Sequence, residues 1–567
     1  MLLKYCEVCL RAGIPDRARP FLRKITWIPT DWKAQQLTRL LGVAERMGEH
    51  GLAALVLRAA LARKSIPLKL ARHLLRLAKF NGDMDFAVNM SDVIARKVPR
   101  SARWEFEVLA NSLLFGPETA LDKVKEQPKA RRTPKQALAL AQLLLFAGER
   151  RTLLRYLRFC RIKWPHSLAF ARLLVQAYGR FGEPQKALDL QDEIECTWPN
   201  ADLRRQRIEL LIENEDIKAA LTLVENSDNS AIGSRDAKQL LRLYISTGRF
   251  EDAMALVPNV AAATGRGEKS VSQFRATHVG SMLNEALLFQ SAGGDVQGKD
   301  PTADPRVLTD LARQYYFPAA RMLDEWQSRQ PAPVAPPSLE QDIPQRIFQY
   351  WDSNIVPRDV SKLMLSWQNH DRYEYNLLHR NDAISFLNTH FGADHVRAFK
   401  MANHVAEECD FLRLCLLYAK GGMYADADDK LIDSPDRLNS LGRGIVLFRE
   451  PFGAISNNVM LARPRHRLVE IAIDMARDSL LSRENDTTWA KTGPGLMTRA
   501  AALYIRETPS EVVARDFSLL PRHVCRRRVQ IHVPLPYKAT KAYWNDHDGQ
   551  APEQLVKILG DALNAGT

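Results

Sequence analysis

The chain lacks any long apolar run. No stretch of about eighteen apolar residues occurs along its 567 positions, so no membrane-spanning helix is expected. Its opening, MLLKYCEVCLRAGIPDRARP, is broken by charge and proline, so no secretory leader is expected either. Cysteine is sparse and unpatterned, with seven residues at positions 6, 9, 160, 196, 409, 415 and 525. Cys6-x-x-Cys9 has no second pair to complete a zinc site and no βαβ context for a redox motif. Both are expected on a helix face. An odd, dispersed set fits a reducing compartment, and a cytoplasmic protein is expected. Zinc-finger spacing, an aromatic–basic RNA-recognition signature and an arginine-rich tail are all missing, which argues against a nucleic-acid partner.

Positive charge is in excess. Lys and Arg number 80 against 66 Asp and Glu, a formal net charge of +14. A solvated basic surface accounts for this. The partners it would also favour are an anionic sugar nucleotide or polysaccharide, or peripheral contact with the inner face of a membrane. Hydrophobic residues at 46% are ordinary for a globular chain, and the length calls for more than one core.

The first half repeats. Tyr178, Gly182 and Ala187 are spaced by four and five residues. So are Ala44, Gly48, Ala53; Ala78, Gly82, Ala87; Leu144, Gly148, Leu153; and Tyr244, Gly248, Ala253. Weaker copies are Cys9, Gly13, Ala18; Ser112, Gly116, Leu121; and Leu211, Glu215, Ala220. The central positions follow one another at intervals of 32 to 35 residues. A glycine in the turn between two short helices, then a small residue where the second helix meets the first, explains the pattern. It resembles tetratricopeptide repeats. A helical-repeat solenoid of about eight hairpins is expected over 1–265, with a protein partner on its concave face.

Residues 266–342 read as a helical and Pro-rich linker, with QPAPVAPPSLEQD at its end. From 343 to 567 the period changes. Short strands at IPQRIFQYW, YEYNLLH, GIVLFRE and NNVMLA alternate with helical stretches such as HVAEECDFLRLCLLYAKGG. This predicts an α/β sheet with its ligand at the carboxyl ends of the strands.

GGMYADADD, residues 421–429, ends one such strand and places Asp426, Asp428 and Asp429 in four positions. Carboxylates so close repel unless a cation lies between them. Hard oxygen ligands this few suit Mn²⁺ or Mg²⁺ that fills its shell with diphosphate oxygens. An acidic surface turn is the plain alternative. An Asp-x-Asp phosphatase of the haloacid dehalogenase type is disfavoured, because Lys430 stands where that family has Thr or Val.

The wider stretch AEECDFLRLCLLYAKGGMYADAD resembles the sugar-binding region of DXD-containing glycosyltransferases of family 32 type. These include certain mannosyltransferases, bacterial capsular enzymes and, more distantly, the large clostridial glucosylating toxins. Asp410, Arg413, Leu417, Tyr418, Gly421, Gly422, Tyr424, Asp426 and Asp428 match, while Cys409 replaces a usual Ser. IPQRIFQYW resembles the family's opening strand, with Phe348 in place of a His. TGPGLMT, 492–498, resembles a later Thr-Gly-Pro segment.

The resemblance implies a GT-A-type, Rossmann-like domain that moves a hexose from a UDP- or GDP-sugar to a glycan, lipid-linked or protein acceptor with retention of configuration. It also implies roles. Asp410 and Arg413 would hold donor hydroxyls and phosphate; Asp426 and Asp428 would bind the metal. Trp351 would stack on the nucleobase and Tyr424 would lie under the sugar. Asn457 and Asn458 match a family position near the acceptor side, and Asn458 is a candidate contact to the donor. Gly493 and Pro494 would shape a helix start at the diphosphate. His547 is the candidate third ligand, with His532 also nearby in sequence. Asp429 falls outside the pattern and is expected to be solvated. A scaffold that has lost catalysis is the competing reading, supported by Phe348 and Cys409.

Overall fold

A computed structural model describes residues 2–539 apart from 12–14, 30–31, 48, 80–83, 127–131, 227–233, 265–276, 294–304, 331–342, 483–486 and 532. His532, His547 and the Pro-rich end of the expected linker lie outside the described residues.

Paired helices run from Ala34–Arg46 and His50–Leu61 to Ser234–Ser246 and Phe250–Thr264. At the described turn positions the backbone is left-handed: φ is +86° at Gly116, +73° at Gly148, +72° at Gly182 and +74° at Gly248. Glu215 occupies the fifth such position and adopts φ +63° without being glycine. The small residues five positions on, Ala53, Ala87, Ala187, Ala220 and Ala253, are fully buried. The first copy is irregular. Leu2–Arg11 is followed only by the short helices Pro15–Arg17 and Arg19–Leu22, because Ile25, Thr26, Ile28 and Pro29 beyond them disfavour continuation. The helix Leu2–Arg11 lies against Phe250–Thr264, so the array returns upon itself.

Part of the segment read as a linker belongs to a core. It carries the helices His278–Ser291, Pro305–Gln314 and Tyr316–Ser328. Ala312, Ala319 and Leu323 are buried in the same cluster as Phe411 and Leu496.

Beyond it, six strands form one mixed sheet: β1 (Arg346–Tyr350), β2 (Glu374–Leu378), β3 (Gly422–Ala425), β5 (Ile445–Arg449), β6 (Ile455–Ala462) and β7 (Phe517–Pro521), in the order β2-β1-β3-β6-β5-β7. β1 pairs parallel with β2 and β3, and β6 runs antiparallel to both β3 and β5. β4 (Lys430–Leu431) and β8 (Val529–Gln530) form a separate two-stranded ribbon. Side chains alternate across the sheet. Phe348, Tyr350 and Tyr424 face the helix Val405–Lys420, while Ile347, Met423 and Ala425 enter the cluster on the other side. Phe348 is thus a core residue, buried to 4% exposure.

The repeat turns sit against this second half. A Cβ at Gly148 would lie 2.1 Å from Gln530 Oε1, and one at Gly182 would lie 2.0 Å from the His523 carbonyl. Gln530 Nε2 donates to the Phe146 carbonyl at 2.8 Å, Arg527 Nε to the Gly182 carbonyl at 2.8 Å, and Lys430 Nζ to the Ala147 carbonyl at 2.7 Å. Arg522 and Arg526 both pair with Glu213. These turns therefore need glycine for approach as well as for φ.

His466 offers a stability readout. It is fully buried against Tyr504, and its Nδ1 accepts from the Leu468 backbone N–H. Burial, then Arg463, pushes its pKa down to about 4. The unfolded chain therefore binds a proton that the folded chain refuses between about pH 6.5 and 4, and folding weakens as pH falls through that window. The ceiling is on the order of 3 kcal/mol. His466→Phe should flatten the fall in urea midpoint between pH 7 and 5. An unchanged slope would place the sensitivity elsewhere.

Candidate active site

Three parallel strand ends converge on one edge. Trp351 follows β1, His379 follows β2, and Asp426 follows β3, its backbone N–H donating to the Asn458 carbonyl on β6 at 2.9 Å. The helix Val405–Lys420 packs behind β3 and supplies Asp410 and Arg413, one turn apart on one face.

Arg413 is the centre of the arrangement. It is 3% exposed. Its Nη2 lies 2.9 Å from Asp426 Oδ1 and 3.1 Å from Asp410 Oδ1, and its Nη1 donates to the Asn457 carbonyl. Its guanidinium stacks 4.7 Å above the ring of Tyr424. Burial opposes the charge, but Asp426, Cys409 and Asp410 more than offset it, and the pKa rises. Asp410 is 7% exposed and accepts from Asn457 Nδ2 and Thr492 Oγ1, both at 2.9 Å. Burial pushes its carboxyl up to about 6, against the pull of Arg413. Burial likewise raises Asp426 to about 7, with Arg413 opposing and Asp428 adding.

Several expectations change at this level. Tyr424, expected against the donor, is completely buried; its hydroxyl meets Cys409 Sγ at 2.8 Å and its ring supports Arg413. Asp410 and Arg413 face each other, and Arg413 also meets Asp426, so this pair braces the acidic turn from the helix side. Asp429 is 4% exposed rather than solvated, because Asn458 Nδ2 donates to its Oδ2 at 2.6 Å and Trp367 Nε1 to its carbonyl at 2.9 Å. Burial, then Asp428 and Asp426, raises its pKa strongly. Asn458 thus orients a carboxylate.

Asp426 and Asp428 are the two acids of the turn that remain partly open, their side chains 28% and 20% exposed. Asp428 Oδ2 is met by Tyr537 Oη at 2.8 Å and Lys538 Nζ at 2.5 Å. Trp351 is half-buried, and its ring meets the edge of Tyr537 at 5.4 Å. Gly493 and Pro494 open the helix Pro494–Glu507, and the preceding Thr492 ties that helix start to Asp410. Lys491 and Glu407, both essentially unexposed, pair at 2.8 Å and fix the same segment to the N-terminal turn of Val405–Lys420.

Tyr537, Lys538, Thr492 and the Lys491–Glu407 pair were not read from sequence. Thr492 was within reach, since it opens the quoted Thr-Gly-Pro segment. Tyr537 and Lys538 lie over a hundred residues from the turn they touch and carry no local signal.

The donor set suits a hard divalent cation. Asp426 and Asp428 offer oxygen only, and the chain itself already sets a cation, the Lys538 ammonium, on Asp428. Among the described residues no cluster of three or more His, Cys, Asp or Glu surrounds a common point. Two carboxylates are sufficient where diphosphate and water complete the shell.

Residues 357–443 match the family of the glycosyltransferase sugar-binding region containing the DXD motif. The span includes Asp410, Arg413, Tyr424, Asp426 and Asp428. Over 102 residues the chain is 31% identical to the initiation-specific alpha-1,6-mannosyltransferase of Saccharomyces cerevisiae. The alignment covers 17% of this chain and 21% of that protein, so the chain spans about a fifth of its relative's length. Among solved structures, PaToxG glycosyltransferase aligns over 46% of this chain and 96% of its own, at 14% identity and a TM-score of 0.24.

Proposed function

We propose that the protein is a metal-dependent glycosyltransferase that moves a hexose from a UDP- or GDP-sugar, with retention, to a glycan, lipid-linked or protein acceptor. The observation that carries this is the buried Asp410–Arg413–Asp426 network, which holds the acidic turn at the carboxyl ends of parallel strands inside the segment matched to a DXD sugar-binding region. Asp426 and Asp428 would hold Mn²⁺ or Mg²⁺, and such an ion neutralises a diphosphate as it leaves. Trp351 gives the nucleobase an aromatic platform, with Tyr537 at its edge. The contribution of the chain's own described residues would be positioning and charge.

The scaffold reading loses its sequence support. Phe348 is part of the sheet core, and Cys409 retains a polar contact, to the Tyr424 hydroxyl. Neither replacement removes a group from the acidic turn. The repeats, read as tetratricopeptide-like over 1–265, would serve partner or acceptor binding, in a cytoplasmic protein.

The test is a panel of UDP- and GDP-sugars with the full chain and Mn²⁺ or Mg²⁺, following release of nucleoside diphosphate. One donor turned over only with metal supports the proposal and names the sugar. A folded protein that neither binds nor hydrolyses any donor favours the scaffold.

A further inference from the structure

The repeats contain a cavity that the acidic turn does not use. It measures about 1150 Å³. It lies among the first helices of successive pairs, Pro134–Phe146, Leu168–Arg180, Arg204–Glu213 and Ser234–Ser246, and Arg526 and Ile531 of the second half bound it. Its lining follows the repeat: Gln142 and Gln176 are equivalent positions, as are Arg172 and Gln206.

The charge here is one-sided. Six guanidiniums, from Arg172, Arg180, Arg204, Arg205, Arg242 and Arg526, face three carboxylates. One of those, Glu213, is already shared by Arg522 and Arg526. Burial, then Arg526, pushes Arg180 down to about 10. Nε of Arg172, Nε of Arg242 and Oε1 of Gln239 are shielded from solvent with no hydrogen-bond partner among the described residues.

The residue types narrow the ligand. The cations are all arginine, and the planar fork pairs with carboxylate, sulfate or phosphate through two parallel hydrogen bonds. Glutamine amides beside them match hydroxyls and amides. Among the described residues no aromatic ring lines the cavity, which disfavours stacked nucleobases. The volume exceeds what one small anion fills.

We propose that this groove binds a stretch of acidic polysaccharide, and that the chain so held is the acceptor. The second half of the statement rests on the transferase reading; the first does not. Ile531 on the groove wall is six residues from Tyr537, whose hydroxyl meets Asp428. Six extended residues span at most about 20 Å, so a polymer in the groove lies within reach of the acidic turn.

The experiment uses the full chain and fluorescence anisotropy at physiological salt. Probes are labelled hyaluronan and heparin oligosaccharides, with dextran, polyglutamate and a single-stranded RNA for comparison. The variant is Gln176→Glu with Arg205→Glu, two exposed positions of the lining. Acidic oligosaccharides should bind and dextran should not; the variant should lose about tenfold or more in affinity while hydrolysing the nucleotide-sugar at the wild-type rate. Which acidic oligosaccharide binds more tightly separates carboxylate from sulfate recognition. Equal or tighter binding of polyglutamate or RNA, or a variant that binds as wild type does, overturns the proposal. Binding without any donor turnover keeps the groove and removes the acceptor role together with the transferase reading.

Discussion

Asp428→Asn is expected to cut metal-dependent release of nucleoside diphosphate by roughly 10³-fold, the upper scale on which loss of one preorganised charge partner acts. The substitution keeps the shape of the side chain and removes its charge. Asp428 is 20% exposed at its side chain and anchors no core element, so the thermal unfolding midpoint should stay within about a degree or two of wild type. Hydrogen bonds from Tyr537 and Lys538 can still reach the amide oxygen. The loss should therefore fall on turnover and on the Mn²⁺ concentration needed for it. Turnover that survives Asp428→Asn would remove Asp428 as a metal ligand and return the acidic turn to a structural role.

Arg413→Met should act on folding. The guanidinium is the shared counter-charge of Asp410 and Asp426, and all three sit in a site closed to water apart from one face of Asp426. Methionine fills similar volume over the Tyr424 ring, yet it strands two carboxylates. Breaking a buried pair in this way typically costs about 3–5 kcal/mol. Circular dichroism of the full chain should show an early loss of the transition that contains the sheet. Adding Asp410→Asn should recover part of that loss, since the amide can still accept from Thr492 and Asn457. If Arg413→Met unfolds where wild type does, the network is wetter in solution than its geometry implies.

The two halves of the chain were legible to different depths. Repeat turns could be read because left-handed backbone selects glycine, and that selection recurs at a fixed interval. Position 215 was read through the interval despite its Glu, and it has the same φ. Strands β1, β2, β3, β5 and β6 were legible from apolar runs; β7, which closes on Pro521, was not, and neither were the two-residue strands β4 and β8, which are stabilised by each other across a hundred residues of sequence. The acidic turn was legible as chemistry. The depth at which each residue sits was not. Tyr424, Asp429 and Asn458 look alike in a linear motif whether they face a ligand or hold one another, and only packing separates the two. Helices between 305 and 328 were misleading for a related reason: a Pro-flanked stretch reads as connection until its Ala and Leu face meets a core.

The return of Leu2–Arg11 to Phe250–Thr264 bears on how this architecture can evolve. Open repeat arrays lengthen or shorten by whole units with little penalty, because each unit touches only its neighbours. A closed array has no such freedom. Duplicating one hairpin would part the first helix from the last and pull turns such as those at Gly148 and Gly182 away from their seats on Gln530 and His523. Drift of single residues within a hairpin remains open to selection; copy number does not.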